Sequence, residues 1–345
     1  MRIPIRSLAI AEADLHQMER DLWKDKYVFG TLLTNGQTVP VKVRYRGGHT
    51  RAYPKRSYEV VRDGQTFHYN AEFDDPSLIR NALSFWFIER LGLPSPRTKH
   101  VRLFLNGIPL GTYLEIEAVE KGFFSRRRIG AKSLFYAIND YADFRRPSGS
   151  SPLYGYERQS GGASESARLL SFLHGIHRHK GKAFARYASR HLDVDNYLKW
   201  LAGAVLTGNY DGFDQNYALY RHAGSGKWRM IPWDYEGTWG RNCFGKLVES
   251  DLVAVRGYNH LTEKLLAHRP FRLRYKAILR RALGGLFTER RIMPRAMAMH
   301  RAIDSFYRED RRTRWSYELF LGEPDVIRDY ISQRRPIIAR ELMRL

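Results

Sequence analysis

Cysteine is almost absent from this chain of 345 residues, with Cys243 standing alone. A single thiol excludes an intramolecular disulfide and any zinc site built on several cysteines. Long apolar runs are missing too. No stretch reaches the roughly 18 apolar residues of a membrane-spanning helix. The start, Met1-Arg2-Ile3-Pro4-Ile5-Arg6, lacks the apolar core of a secretory signal. The expectation is a protein made and kept on the cytoplasmic side, with no membrane partner. Negative charge is scarce: 36 Asp and Glu stand against 58 Lys and Arg, a formal charge of +22. That balance invites a nucleic-acid reading, because Lys and Arg neutralise phosphates and release counterions. The basic residues run along the whole chain, however, with only short concentrations such as Arg126-Arg127-Arg128, Arg290-Arg291 and Arg311-Arg312. A solvated basic surface is favoured over a dedicated nucleic-acid groove. What is present in quantity is apolar and aromatic: 43% hydrophobic and 13% aromatic residues can fill the core of a globular protein.

Two segments carry chemistry. In Asn209-Tyr210-Asp211-Gly212-Phe213-Asp214-Gln215-Asn216 an Asp is followed five residues later by an Asn. A second Asp, Asp234, follows the apolar segment from Trp228 to Trp233. Protein kinases present a catalytic base and two metal ligands in this order. Phosphoryl transfer asks for a carboxylate that orients the attacking hydroxyl and for hard oxygen ligands that hold Mg2+ against the phosphates. Asp211 fits the first role, and Asn216 and Asp234 are the metal pair. Asp214 is a second carboxylate in the same loop, and spacing leaves it open as the base. No His-Arg-Asp precedes the loop, and Asp234-Tyr235-Glu236 replaces Asp-Phe-Gly.

The first part of the chain reads as strand-rich. Asn35-Gly36 lies between two apolar runs, Asp63-Gly64 follows the strand 57–61, and Asn106-Gly107 separates strands 101–105 and 110–116. A helix over 11–23 precedes the sheet, and a second opens at Asp75-Pro76 and runs to Leu91. Gly47 and Gly48 form a turn whose backbone could approach phosphates. Lys55 and Arg56 stand just before the strand 57–61, where alternation sends one of the two toward phosphates; kinases use Lys there. By kinase order Glu115-Ile116-Glu117-Ala118 connects the lobes and offers backbone groups to adenine. Glu72 and Glu89 are equal candidates for the partner of a phosphate-binding Lys.

From 140 to 165 the chain is rich in Gly, Ser and Tyr and reads as a mobile surface loop, its serines open to autophosphorylation. Helices are expected over 167–174, 182–191, 194–206, 261–268, 271–283 and 294–306, with a last one opening at Pro324. Asp193 and Gly208 would cap the helix before the catalytic loop. His174, His177 and His179 form a local histidine cluster without a third ligand at metal spacing.

The chain resembles the spore coat protein H (CotH) family, atypical kinases of the bacterial spore coat. The resemblance rests on Tyr45-Arg46-Gly47-Gly48-His49-Thr50-Arg51, Pro54-Lys55-Arg56-Ser57-Tyr58, Asp75-Pro76-Ser77-Leu78-Ile79-Arg80-Asn81, Tyr197-Leu198-Lys199-Trp200-Leu201 and the two segments around Asp211 and Asp234, through Thr238-Trp239-Gly240. It implies an α+β, divergent protein-kinase-like two-lobe fold, with a strand-rich N-lobe over 1–117 and a helical C-lobe over 118–345. It also implies ATP with Mg2+, or Mn2+, and phosphorylation of Ser or Thr in Ser-rich coat proteins and in the chain itself. Asp211 looks like the family's catalytic-loop Asp and Asp234 like its metal-binding Asp. Synthesis in the mother-cell cytoplasm and incorporation into the spore coat follow from the same resemblance. A catalytically inactive coat scaffold and a basic nucleic-acid-binding protein are the alternatives.

Overall fold

The computed structural model describes residues 3–345; Met1 and Arg2, part of the start read as lacking a signal core, lie outside the described residues. The chain divides into two compact units. The first comprises the chain up to Ala82, Pro96–Ala118 and Pro294–Pro324, and the second Leu83–Ser95, Val119–Met293 and Asp325–Leu345. The passage from Ala118 to Val119 is thus one crossing among several, and the contiguous boundary at 117/118 is too simple.

The first unit contains β1 (Ile5–Ile10), α1 (Glu12–Arg20), β2 (Val28–Thr34), β3 (Gln37–Arg46), β4 (Ser57–Arg62) and β5 (Gln65–Asn70). After α2 (Arg80–Arg90) come β6 (Thr98–Leu105) and β7 (Ile108–Glu117). Among the described residues these seven strands close into a barrel in the order β1-β2-β3-β4-β5-β7-β6. The hairpin turns Asn35-Gly36, Asp63-Gly64 and Asn106-Gly107 have positive φ at both residues, the backbone that matches a two-residue loop to the strand twist. Closure comes from β1, which pairs antiparallel with β2 and parallel with β6, from Ile5 opposite Arg102 to Leu8 opposite Leu105. Leu8, Leu32, Val43, Val60, Val101 and Leu103 fill the interior without exposure. Each such side chain contributes about 1.5–3 kcal/mol by burial. The helix expected over 11–23 is the shorter α1, whose Met18 packs into this core with Leu15 beside it.

α2 starts at Arg80, five residues later than Asp75-Pro76 suggests. Asp75 accepts hydrogen bonds from the N–H groups of Ser77 and Arg80, both at 2.9 Å, and Leu78 takes a left-handed φ of 55°. Residues 75–79 are therefore a turn that caps the helix from outside. Asp75 and Glu323 each pair with the Arg80 guanidinium at 2.6 Å, and all three side chains are fully buried.

The second unit is mostly helical. It holds α3 (Lys121–Arg126), β8 (Ala131–Ala137), β9 (Tyr156–Ser160), α4 (Ala163–Arg178), α5 (Gly181–His191) and α6 (Val194–Thr207). Then follow β10 (Tyr217–His222), β11 (Trp228–Pro232), α7 (His260–Ala267) and α8 (Arg269–Gly284). The strands form a sheet in the order β11-β10-β8-β9. β9 occupies part of the segment expected to be a mobile loop: its exposed, polar side chains hide a strand held by backbone pairing to β8. α9 (Glu289–Glu309) and α10 (Tyr317–Arg344) complete the chain. Both contain proline where a start was expected. Pro294 and Pro324 sit inside these helices, at the residues where the division into units falls. Proline removes one backbone donor there, while the periodic buried set Ile327, Ile331, Arg334 and Ile338 holds α10 along its length. No helix among the described residues is long and apolar enough to cross a membrane.

Candidate active site

The site in the second unit is built on α6, which is apolar almost all round and buried along nearly its whole length. Asp193 caps its start by accepting from the Asn196 N–H at 3.1 Å, and Gly208 ends it with φ 74°. A Cβ at Gly208 would stand 2.5 Å from the Tyr330 hydroxyl oxygen, so only glycine fits. The last carbonyls of the helix are satisfied from α10. Tyr330 donates to the Leu206 carbonyl at 3.0 Å, and Arg334 donates to those of Val205, Ser250 and Val253 at 2.6–3.2 Å. The Asn196 amide clamps both backbone groups of Met230, tying β11 to the same helix.

The loop 209–216 leaves this rigid end and runs into β10. Tyr217 at the start of β10 pairs with Pro232 at the end of β11, so Asn216 and the residues after Pro232 emerge at the same end of the hairpin. Asn216 and Asp234 both have left-handed backbone, φ 58° and 55°. Asn and Asp tolerate that region best among residues with a side chain, and such outliers cluster at functional sites. The Asn216 Nδ2 donates to Asp211 Oδ2 at 3.1 Å, which leaves its carbonyl oxygen aimed elsewhere. Burial, then the charge of Asp234, pushes the half-buried Asp211 carboxyl up to about 7. The structure thus brings Asp211, Asn216 and Asp234 together.

Asp214 shares the loop, and its charge is a further, smaller cause of the rise at Asp211. Its carboxyl is also raised, by burial first and then by Asp140 and Asp143, against the opposing charge of Arg145. Of the two loop carboxylates, Asp211 is the one hydrogen-bonded to Asn216. Asp234 is held by the aromatic segment on its C-terminal side. Tyr235 is fully buried against Phe85 of α2, with ring centroids 6.1 Å apart. The Trp239 indole N–H donates to Ser84 Oγ at 2.8 Å, and its backbone N–H donates to the Thr207 carbonyl at 2.7 Å. Ser84, Phe85 and Trp239 are positioning residues that spacing alone did not single out; their signal is the buried aromatic segment after Asp234.

Mg2+ favours oxygen ligands and keeps several waters or phosphate oxygens in its shell. The donor set fits that habit: a carboxylate at Asp234, an amide carbonyl at Asn216, and a nearby carboxylate at Asp211, its pKa raised by burial and then by the charge of Asp234. No group of three or more His, Cys, Asp or Glu side chains stands in metal-binding geometry among the described residues, so an all-protein cage is not offered. His177 and His179 are engaged with the carbonyls of Phe144 and Gly175, at 2.8 and 2.9 Å.

The residues expected at the nucleotide lie in the first unit and are differently engaged. Lys55, expected to reach phosphates, is buried: its ammonium bonds Asp310 Oδ2 at 2.7 Å and the Thr112 carbonyl at 2.8 Å. Arg56 pairs with Glu19 and lies over the Tyr45 ring, 4.8 Å from its centroid. Strand alternation did not foresee partners arriving from α1 and from the segment after α9. Glu115 points to Arg6 at 2.8 Å and Tyr69 at 2.9 Å. The N–H groups of Glu117 and Ala118 donate to Arg97 and Thr66 carbonyls, and Glu117 itself accepts from the Arg97 N–H. Those two backbone donors are therefore occupied and do not face adenine. Gly47 has φ +107°, and a Cβ there would meet Thr50 Oγ1 at 2.1 Å, so it serves a tight turn; Gly48 precedes a short 3-10 turn with open space beside it.

The family model of CotH kinase proteins matches residues 43–338. The chain is 36% identical to the inner spore coat protein H of Bacillus subtilis (strain 168), over 96% of this chain and 95% of that protein. An inner spore coat protein H-like protein of the same organism is 26% identical over 92% of this chain and 94% of its own. Among solved structures, the Helicobacter pylori proinflammatory kinase CtkA aligns over 84% of this chain and 94% of its own, at 9% identity and a TM-score of 0.32. A chain from the complex of Shewanella oneidensis MR-1 HipA, HipB and operator DNA aligns over 93% of this chain and 74% of its own, at 14% identity and a TM-score of 0.36. At these TM-scores the structural likeness is loose.

Proposed function

The chain belongs to the CotH kinase family, and from that premise we propose that it is a metal-dependent protein kinase acting on Ser or Thr. The phosphoryl donor in this reading is ATP, and the acceptors are Ser-rich coat proteins and the chain itself. The observation that carries it is the Asn216–Asp211 hydrogen bond at 3.1 Å beside Asp234.

Each residue has one task. The Asp211 carboxylate accepts a hydrogen bond from the acceptor hydroxyl, turns the hydroxyl oxygen toward the γ-phosphorus and takes the proton as the new P–O bond forms and the bond to the β–γ bridging oxygen breaks, releasing ADP. Asn216 fixes the Asp211 rotamer through Nδ2 and presents its carbonyl oxygen to the metal, and Asp234 presents a carboxylate. When bound, Mg2+ or Mn2+ neutralises charge on the transferring and leaving phosphate oxygens. The buried anchors of Tyr235 and Trp239 keep Asp234 at its position, since phosphoryl transfer depends on alignment more than on covalent chemistry. The setting that goes with this reading is the spore coat, after synthesis in the mother-cell cytoplasm.

Incubation of the full chain with γ-labelled ATP, MgCl2 and a Ser-rich peptide, followed by peptide mass spectrometry, tests it. The expected result is phosphoserine or phosphothreonine on peptide and chain, abolished by EDTA. Label transfer that is absent or indifferent to metal would leave a scaffold, and transfer of AMP would replace the reaction class.

A further inference from the structure

The barrel ends in a cavity that the proposed phosphoryl transfer does not use. It has a volume of about 520 Å³ and is walled by α1, the ends of β3, β4, β6 and β7, and the segment after α9, all in the first unit. This is the size range of sites for small organic ligands, and barrel mouths are a common place for them. Its floor is aromatic. Tyr45 and Tyr58 pair across the last rungs of the β3–β4 ladder, with ring centroids 5.4 Å apart, and Tyr58 continues to Tyr113 at 6.2 Å.

The wall carries two carboxylates, Glu12 and Glu19, and two guanidinium groups, Arg56 and Arg312, but these do not all pair with one another. Tyr45 donates its hydroxyl to Glu19 at 2.6 Å, and Arg56 pairs with the same carboxylate, so that cation and anion cancel. The Tyr113 hydroxyl is spent on the Arg56 carbonyl at 2.9 Å. Two groups are left over. The Tyr58 hydroxyl has no hydrogen-bond partner among the described residues although the residue is 5% exposed, and the Arg312 guanidinium has no carboxylate partner among them. Arg312 is kept there by its backbone, whose N–H donates to Asp310 Oδ1 at 3.0 Å, while the other oxygen of that carboxylate is fixed by buried Lys55. The opposite wall is apolar, with Leu15, Leu105 and Leu110 and the exposed Ile108.

We propose that this barrel mouth binds a small organic monoanion, a carboxylate carried on an apolar body. The carboxylate pairs with Arg312 and accepts from the Tyr58 hydroxyl, and the body lies on the tyrosine floor against the leucines. Glu12, the other carboxylate of the wall, is exposed and turned to His16 at 3.7 Å, so Arg312 is the wall cation left without a carboxylate beside it; one negative charge pairs it, and the apolar wall disfavours a bare inorganic anion. The cavity is formed by residues of the first unit alone, and its existence does not depend on the kinase reading.

Methyl-labelled full chain titrated with phenylacetate, hexanoate, phenylacetamide and inorganic phosphate tests this by NMR. Saturable shifts of the Ile108 and Leu110 methyls are expected with at least one of the two carboxylates, and the tighter of them identifies an aromatic or aliphatic body. The neutral amide and the phosphate should bind about 10-fold more weakly or not at all. Arg312→Gln, an exposed position, should keep the thermal midpoint and lose about 10-fold in carboxylate affinity, with Tyr58→Phe losing about 3-fold. No saturable shift up to about 10 mM carboxylate overturns the proposal. Equal binding of acid and amide, equal binding of phosphate, or undiminished affinity in folded Arg312→Gln overturns it as well.

Discussion

Asp310→Asn isolates the charge of one buried ion pair. Lys55 and Asp310 are each about 1% exposed at the side chain, with Nζ and Oδ2 2.7 Å apart. Asparagine keeps an oxygen to accept from the Thr112 N–H at 3.1 Å or the Arg312 N–H at 3.0 Å, so the main loss is the negative charge facing Lys55. Removing one partner of a buried pair and leaving the other charged costs about 3–5 kcal/mol. Lys55→Met/Asp310→Asn, with neither charge, should recover at least about 2 kcal/mol relative to the sum of the single losses. The pH dependence has a definite sign. Burial already holds the Lys55 ammonium below its ordinary value of 10.5, opposed by Asp310. Without Asp310 it falls further, and the unfolded chain then binds more protons than the folded one as pH rises toward 10.5. The deficit of Asp310→Asn should therefore shrink on going alkaline. Urea unfolding followed by tryptophan fluorescence and far-UV circular dichroism at several pH values measures it, with coincidence of the two probes as the check on two-state behaviour. Stability within about 0.5 kcal/mol of the parent, unchanged with pH, would refute the buried-pair reasoning.

Gly111→Ala should act on the same place by sterics: φ is +99°, and the new Cβ would lie 2.0 Å from Asp310 Oδ2. A loss of about 2 kcal/mol or more is expected in the same urea assay, and a neutral result would show that Asp310 can swing away. Asp193→Ala removes both the α6 cap and the 2.8 Å pair with Arg229. It should cost about 1 kcal/mol, or about 1–2 °C in thermal midpoint for a chain of this length, and an unchanged midpoint would deny the cap any energetic role.

Local chemistry explains which elements were legible in the sequence. Asn35-Gly36 and Asn106-Gly107 announced their hairpins, and Asp63-Gly64 its turn, because both residues must adopt positive φ, and Asp193 and Gly208 announced the ends of α6 through their own local chemistry. β5 and β9 escaped notice because Gln65–Asn70 and Tyr156–Ser160 are largely polar and are made strands by their partners' backbones. Barrel closure by parallel pairing of β1 with β6 is non-local, and no turn residue records it. Pro294 and Pro324 look like helix starts to any rule based on the missing donor, yet tertiary packing carries both helices past them. At the site, the spacing of Asp211, Asn216 and Asp234 was readable because one loop and one hairpin place them. The engagements of Lys55 and Arg56 were not, since Asp310 and Glu19 lie 255 and 37 residues away in sequence.

The central claim is that Asp211 handles the acceptor hydroxyl while Asp234 holds the metal. Calorimetric titration of ATP with MgCl2 into the parent chain, Asp211→Asn and Asp234→Ala, paired with single-turnover phosphorylation of a Ser-rich peptide, measures binding and chemistry side by side. Asp211→Asn should keep ATP affinity within about 3-fold while phosphoryl transfer falls by about 10²-fold or more. Asp234→Ala should lose both. Loss of ATP affinity in folded Asp211→Asn as large as in Asp234→Ala, or phosphorylation undiminished by either substitution, would contradict the assignment.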